Sequence, residues 1–154
     1  MHPATVSSMS TTVDATVYLA TSDENSALSG TATASSVEQD LDQFQPQYVN
    51  DGDVSTRWSS GYSDEEWVQV ELPAAEHIGK VVLRWEAAYG RDYDIQVSDD
   101  GQQWQTVATV RGGDGGVDRL RVDTTGRYFR MQGVDRATQW GYSLYELELY
   151  PVVS

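Results

Sequence analysis

The chain has 154 residues and no cysteine. That single absence removes disulfides, thiol catalysis and cysteine-based zinc sites, so the fold must be held by its core, with a bound ion as the one further option. Histidine is nearly as scarce. His2 lies near the start and His77 in AEHIGK, too few and too far apart for a catalytic triad or a zinc centre, and His77 reads as a surface loop residue. Lysine occurs once, at Lys80, and the 24 acidic residues outnumber the 10 basic ones, for a formal net charge of −14. Such a field repels phosphate backbones and anionic lipid surfaces, which argues against nucleic acid and membrane as partners, and it draws cations, including cationic polymers. Solubility, or adaptation to salt, accounts for the same charge equally well. No run approaches the roughly 18 apolar residues of a membrane-crossing helix. The opening MHPATVSSMSTT lacks the basic and apolar regions of a signal peptide.

What is present is a hydrophobic share of 39%, enough for one folded domain rather than an acidic disordered tail. The apolar residues come in short alternating runs: Val68, Val70 and Leu72 in WVQVEL; Val81, Leu83 and Trp85 in KVVLRW; Tyr93, Ile95 and Val97 in YDIQVS. TVATV, RLRV, RYFRMQ and LYELELY follow, and no segment sustains a helical period. Many short strands without helices predict an all-β sandwich or barrel. GGDGG, residues 112–116, reads as a flexible hairpin loop, and Trp58, Trp67, Trp85 and Trp104 are expected in the core. Residues 1–22, rich in Ser, Thr and Val, form an extension or linker ahead of a domain at 23–154. Within them Val13, Ala15, Val17 and Leu19 alternate as an added strand would.

VNDGDVSTRWSS, residues 49–60, sets two aspartates around a glycine and closes on Thr-Arg-Trp. A glycine turn can converge short acidic side chains and backbone carbonyls, the oxygen-rich set that calcium takes. The spacing is not that of an EF-hand, so a distant acid must complete any shell. A solvated Asp-Gly turn without an ion is the plain alternative.

Six motifs in order, TATASSVE, VNDGDVSTRWSS, EEWVQVEL, IGKVVLRWEAAYGRDYDIQVSDDGQQW, GRYFRMQGV and GYSLYELELY, resemble discoidin-type domains, also called coagulation factor V/VIII type C domains. The resemblance spans about residues 24–150 and is strongest to the family thirty-two carbohydrate-binding modules of bacterial polysaccharide-degrading enzymes. It implies a jelly-roll β-sandwich of two antiparallel sheets, usually without catalysis of its own. It also implies a structural calcium ion held by the carbonyls of Tyr48, Asp53 and Tyr145, the carboxylates of Asp51 and Glu146, and both oxygens of Thr56. The loops that line the sugar site in such modules nominate Glu38, Arg57, Tyr62, Glu86 and Tyr142 here, with Trp140 a neighbour.

Those residue types suit a sugar. A tyrosine ring offers a flat apolar face to pyranose C–H bonds, and carboxylates and a guanidinium fork bond vicinal hydroxyls. Glu38 and Glu86 could also hold the ammonium of a chitosan-like amino sugar; a β-glucan is the neutral counterpart. The alternative use of Arg57 and Glu86 is a rim ion pair with each other. The expectation is therefore an extracellular, calcium-stabilised, non-catalytic module that binds polysaccharide or oligosaccharide, monomeric unless the extension adds a strand to a neighbour. Two rivals stand beside it: a small polysaccharide-active enzyme using paired carboxylates, and a structural or cell-surface assembly subunit.

Overall fold

The structure, a computed structural model, describes residues 5–8 and 19–153. Its strands are β1 (Thr5–Ser8), β2 (Thr31–Ala34), β3 (Trp58–Ser59), β4 (Trp67–Trp85), β5 (Gly90–Ser98), β6 (Gln105–Arg111), β7 (Val117–Arg136) and β8 (Ser143–Pro151). Short 3₁₀ turns at Ser26–Ser29, Glu38–Asp40, Asp42–Phe44 and Pro46–Val49 fill the stretch between β2 and β3 and the approach to β2. Hydrogen bonding runs β1-β6-β5-β7-β4-β8-β3, with β2 added to β4, and every described pair is antiparallel.

WVQVEL and KVVLRW are not two strands, as their alternation suggests, but the ends of one 19-residue strand; RLRV and RYFRMQ likewise share the 20-residue β7. The β4–β7 ladder breaks between Glu71 and Glu76, where Pro73 has no N–H to give it. On the near side of the break β4 pairs with β2, and on the far side with β8. The path thus folds over on itself into the expected jelly-roll sandwich. The inward phase changes with it: Val68, Val70 and Leu72 are buried before the break, and Val81, Leu83 and Trp85 after the second register shift at Ile78/Lys80. A one-residue slip in a period-two pattern turns the opposite set inward, so the bulges keep both halves facing one core.

That core holds Trp58, Trp85, Tyr93, Phe129, Met131 and Tyr142 among its large side chains. Trp67 and Trp104 do not join it. With Val68 and Val70 inward, Trp67 must point outward, and Trp104 meets it there across Arg130. His77 stands on β4 rather than in a loop, with Nε2 at 2.6 Å from Asp123 Oδ1. GGDGG is no hairpin either, since β6 and β7 are not paired; it crosses from one to the other, bonded through Gly113 N to Arg91 O and Gly116 O to Trp85 N.

The alternation expected at Val13, Ala15 and Val17 lies outside the described residues. Earlier in the extension, Thr5–Ser8 pairs with the outer edge of β6, Val6 opposite Val110. Residues 20–22 bond to the C-terminal strand, Ser22 N to Pro151 O and Val153 N to Ala20 O, so the end of the expected extension is woven into the domain.

Candidate functional site

At one end of the sandwich four segments meet: the Glu38–Asp40 turn, residues 57–62, the β4–β5 connection and the β7–β8 connection. Their backbones are tied together. Ser60 N donates to Tyr142 O at 2.8 Å, Tyr142 N to Ser60 Oγ at 2.8 Å, Glu86 N to Ser143 O at 2.9 Å and Ser143 N to Ala88 O at 2.8 Å. Gly141 permits this closeness, because a Cβ there would lie 2.3 Å from the carbonyl oxygen of Gly61. The result is a cleft of about 260 Å³ bounded by Glu38, Arg57, Ser59, Glu86, Trp140 and Ser143, with Tyr142 in its floor. Beside Glu38, Gln39 and Asp40 both adopt positive φ, 52° and 54°. Non-glycine residues in that region cost about 1–3 kcal/mol each, and such strain concentrates where a side chain is held for a purpose.

Four of the five residues expected to bind ligand thus border one cleft, and the fifth, Tyr62, is joined to it. Its hydroxyl donates to Glu38 Oε2 at 2.8 Å, and its ring meets Trp140 edge-on with centroids 5.6 Å apart. The bond to Glu38 raises the Tyr62 phenol above its ordinary pKa. Trp140 is 50% exposed and walls the cleft, a larger part than a neighbour's. Glu86 Oε1 accepts from Ala88 N at 3.0 Å. Arg57 donates from Nε to Ser59 Oγ at 3.2 Å and lays its guanidinium over the Phe44 ring, 4.6 Å from the centroid. Among the described residues it forms no ion pair, so the pairing of Arg57 with Glu86 does not occur. Phe44 carried no sequence signal; it stands in a short turn of no clear period.

Tyr142 needs correcting. It is wholly buried, its ring tilted against Trp85 at 6.3 Å and its hydroxyl donating to Asp64 O at 2.6 Å. Its ring cannot offer a face to a ligand; it supports the floor. Burial pushes its phenol well up. The sequence held a clue in Gly133, where any Cβ would sit 2.3 Å from Tyr142 Cζ.

The acidic loop lies alongside. Gly52 turns at φ +74° and donates its N–H to Glu146 Oε1 at 3.2 Å, joining the loop to β8 across the chain. Thr56 Oγ1 lies 2.5 Å from Asp51 Oδ2 and 3.0 Å from Asp53 O, and Asp53 N donates to Asp51 Oδ1 at 3.0 Å. Tyr48 ends the approach to this loop and Tyr145 precedes Glu146 on β8. Glu146 is 2% exposed, and its Oε2 has no hydrogen-bond partner among the described residues. Burial first, and then the adjacent Asp51 carboxylate, push Glu146 up to about 9. No cluster of three or more His, Cys, Asp or Glu side chains suited to a metal occurs among the described residues. Two carboxylates with carbonyl and hydroxyl oxygens around them nonetheless fit a hard cation such as calcium, and an orphaned buried carboxylate oxygen is what such an ion would satisfy.

With that geometry in view, comparison with known proteins is informative. Residues 31–147 match the F5/8 type C domain. The chain is similar to chitosan-binding module 1 of a chitosanase/glucanase from Paenibacillus sp. IK-5, at 42% identity over 82% of this chain and 98% of that one, with a TM-score of 0.78. It is similar also to module 2 of the same enzyme, solved with chitotriose, at 36% identity over 82% and 99% of the two chains and a TM-score of 0.78. A curated relative, the polysaccharide lyase 8 family protein HylA of Enterococcus faecalis (strain ATCC 700802 / V583), is 40% identical over 74 residues. That stretch is 48% of this chain and 5% of the lyase family protein. Because the family match runs from β2 into β8 and takes in both the cleft and the acidic loop, the chain belongs to the F5/8 type C domain family.

Proposed function

We propose that this protein is a non-catalytic carbohydrate-binding module that works outside the cell, takes a chitosan-like amino-sugar polymer in preference to a β-glucan, and carries a structural calcium ion. The observation behind it is the cleft itself: Glu38 and Glu86 border one space with Trp140, Tyr62 stands at its rim, and no basic side chain neutralises either carboxylate through an ion pair among the described residues. Carboxylates left unpaired beside exposed rings suit a ligand that brings ammonium groups on flat apolar sugar faces. The similar modules are named for binding chitosan, and one was solved with chitotriose, which supports the same class here. Asp51, Asp53, Thr56, Tyr48, Tyr145 and Glu146 would hold the ion. It would supply only charge compensation, tying the acidic loop to β8.

Titration with chitosan and β-1,3-glucan oligomers at low and high salt tests the reading. Exposed charge contacts are screened over about 8 Å in physiological salt, so chitosan affinity should be modest and should fall as ionic strength rises. Glu38→Gln should weaken chitosan and spare glucan. Tight, salt-insensitive glucan binding that survives Glu38→Gln removes the amino-sugar preference and leaves sugar binding intact. Release of reducing ends from either polymer would make the protein an enzyme instead. The assembly-subunit reading draws on the pairing of Thr5–Ser8 with the β6 edge, since the same strand could be lent to a neighbouring copy. An oligomer in size-exclusion chromatography that becomes monomeric when residues 1–18 are removed would favour it.

A further inference from the structure

Arg57 borders two hollows, not one. The second is a cleft of about 320 Å³ lined by Gln43, Phe44, Tyr48, Ser55, Thr56 and Arg57. Arg57 lines the first cleft as well, so the two share that side chain. We propose that this second cleft is a further sugar subsite for the same glycan chain, selective for a neutral residue. The proposal rests on the sugar-binding reading of the first cleft.

The chemistry of the two hollows differs in one respect. The first is bordered by two carboxylates, Glu38 and Glu86. The second has none in its lining; its polar groups are an exposed amide at Gln43, the hydroxyls of Tyr48, Ser55 and Thr56, and the shared guanidinium. The Ser55 hydroxyl donates to Asp53 Oδ1 at 2.6 Å, which leaves its lone pairs as acceptors for a sugar hydroxyl, while Thr56 Oγ1 is turned into the acidic loop, 2.5 Å from Asp51 Oδ2. An ammonium placed there would face Arg57, and the nearest carboxylates, Asp51 and Asp53, stand behind the Thr56 and Ser55 hydroxyls that bond them. An N-acetylated or plain pyranose meets an aromatic edge, an amide and hydroxyls without that charge conflict. Arg57 itself is held by the Phe44 ring and by Ser59, and its terminal nitrogens form no ion pair among the described residues. It can therefore donate on both sides, to two different sugars of one chain longer than a disaccharide. The preferred polymer is then one that presents an amino sugar to the first cleft and a neutral sugar to the second, as partly acetylated chitosan does.

A length series decides it. Disaccharides to hexasaccharides of fully deacetylated and partly acetylated chitosan are titrated by calorimetry against the whole chain, Phe44→Ala and Gln43→Ala, with melting curves alongside. A longer oligomer gains about threefold from disaccharide to tetrasaccharide merely by offering more registers to one site. A real second subsite should add about five- to tenfold to that, the size of one good stacked contact, and more for the partly acetylated chains. Exposed Gln43→Ala should lower the gain while leaving disaccharide affinity within about twofold and the fold untouched, and Phe44→Ala, which also loosens Arg57, should reduce the gain to the register factor by weakening the tetrasaccharide more than the disaccharide. If Phe44→Ala weakens disaccharide and tetrasaccharide by one common factor, Phe44 acts only by supporting Arg57 and there is no second subsite. A wild-type series that never exceeds the register factor overturns the inference as well. If no oligomer of any length binds, the sugar-binding reading fails first and takes this inference down with it.

Discussion

Two regions of the molecule bring arginine together with aromatic rings, and they use the pair in opposite ways. On the outer face of β4 and β7, Arg130 lies between Trp67 and Trp104, its Cζ 4.1 Å and 4.0 Å from the two ring centroids. Its Nε and Nη2 both donate to Gln69 Oε1, at 3.0 Å and 2.7 Å. Both faces of the guanidinium and two of its donors are used within the protein. At the loop end, Arg57 covers a single ring and makes one side-chain hydrogen bond among the described residues, while the carboxylates of its cleft are left without a basic partner. Beside it the acidic loop meets Glu146 on β8, whose buried Oε2 has no hydrogen-bond partner among the described residues. An arginine beside a tryptophan and an amide or hydroxyl does not by itself separate the two regions, since each has that set. Satisfaction does. A polar group whose bonds are complete stabilises the fold, and one whose bonds are open is available to something else.

The largest effect that would sharpen this contrast concerns the ion. Calcium binding only the native state stabilises by mass action, about 2.7 kcal/mol at a hundred times its Kd and about 4 kcal/mol at a thousand times. Chelator should therefore lower the melting temperature by several degrees, and Glu146→Gln should remove the response while leaving the outer face undisturbed. Identical melting curves with calcium and with chelator would break the comparison on this side and return the acidic loop to a solvated turn.

Next in size is an exchange of roles between the two arginines. Arg57→Ala should lose about 1.5–3 kcal/mol of ligand affinity, the worth of charge-assisted hydrogen bonds, with stability changed by less than about 0.5 kcal/mol. Arg130→Ala should do the reverse, costing about 1–2 kcal/mol of stability through two lost cation–π contacts and leaving affinity within about twofold. Calorimetric titration and urea denaturation of both variants read the two quantities separately. If Arg130→Ala weakened the ligand as much as Arg57→Ala, the outer face would be a second binding surface and the distinction would fail.

How far the sequence reveals all this follows the same line. The strands were legible because period-two alternation reports burial, and burial is what the sandwich imposes. The joining of WVQVEL to KVVLRW was not, because a bend around Pro73 looks the same in sequence as a turn between separate strands. Trp67 shows why residue type alone misleads: its size favours the core, but its parity with Val68 and Val70 sends it outward, and the alternation held that information all along. Glu38, Arg57 with Tyr62, and Glu86 come from three separate segments, and only the resemblance to known modules could bring them together before the fold was known. Tyr142 failed for a local reason. A loop position one residue past Gly141 turns inward, and the space cleared by Gly133 accepts the ring. Phe44 and the second cleft were out of reach, because a shared wall is a property of the assembled surface.

The smallest effect concerns how firmly the open region is held. Arg136 ties the Trp140 loop to the Tyr62 segment: its Nε donates to Asp64 Oδ1 at 2.8 Å, and its Nη1 reaches the carbonyls of Gln139 and Trp140 at 3.3 Å and 3.4 Å. Hydrogen bonds from the Arg136 side chain and backbone lower the Asp64 pKa from its ordinary value of 3.8. A carboxylate depressed in the folded state contributes in full above its unfolded pKa and loses that contribution as pH falls through the lowered folded value. Ligand binding should therefore be indifferent to Asp64 from neutrality down to about pH 4 and weaken only in more acid solution. Asp64→Asn should bring a small loss of affinity, about twofold, to neutral pH, because an exposed ion pair is worth little but this one positions a wall of the cleft. Asp94→Asn, which removes the same charge from the separate pair with Arg111, serves as the control. If that control weakens the ligand as much as Asp64→Asn does, the loss is a general effect of surface charge. If only Asp64→Asn does, the open cleft owes its shape to a satisfied pair at its edge, and the two regions differ by what each pair leaves free.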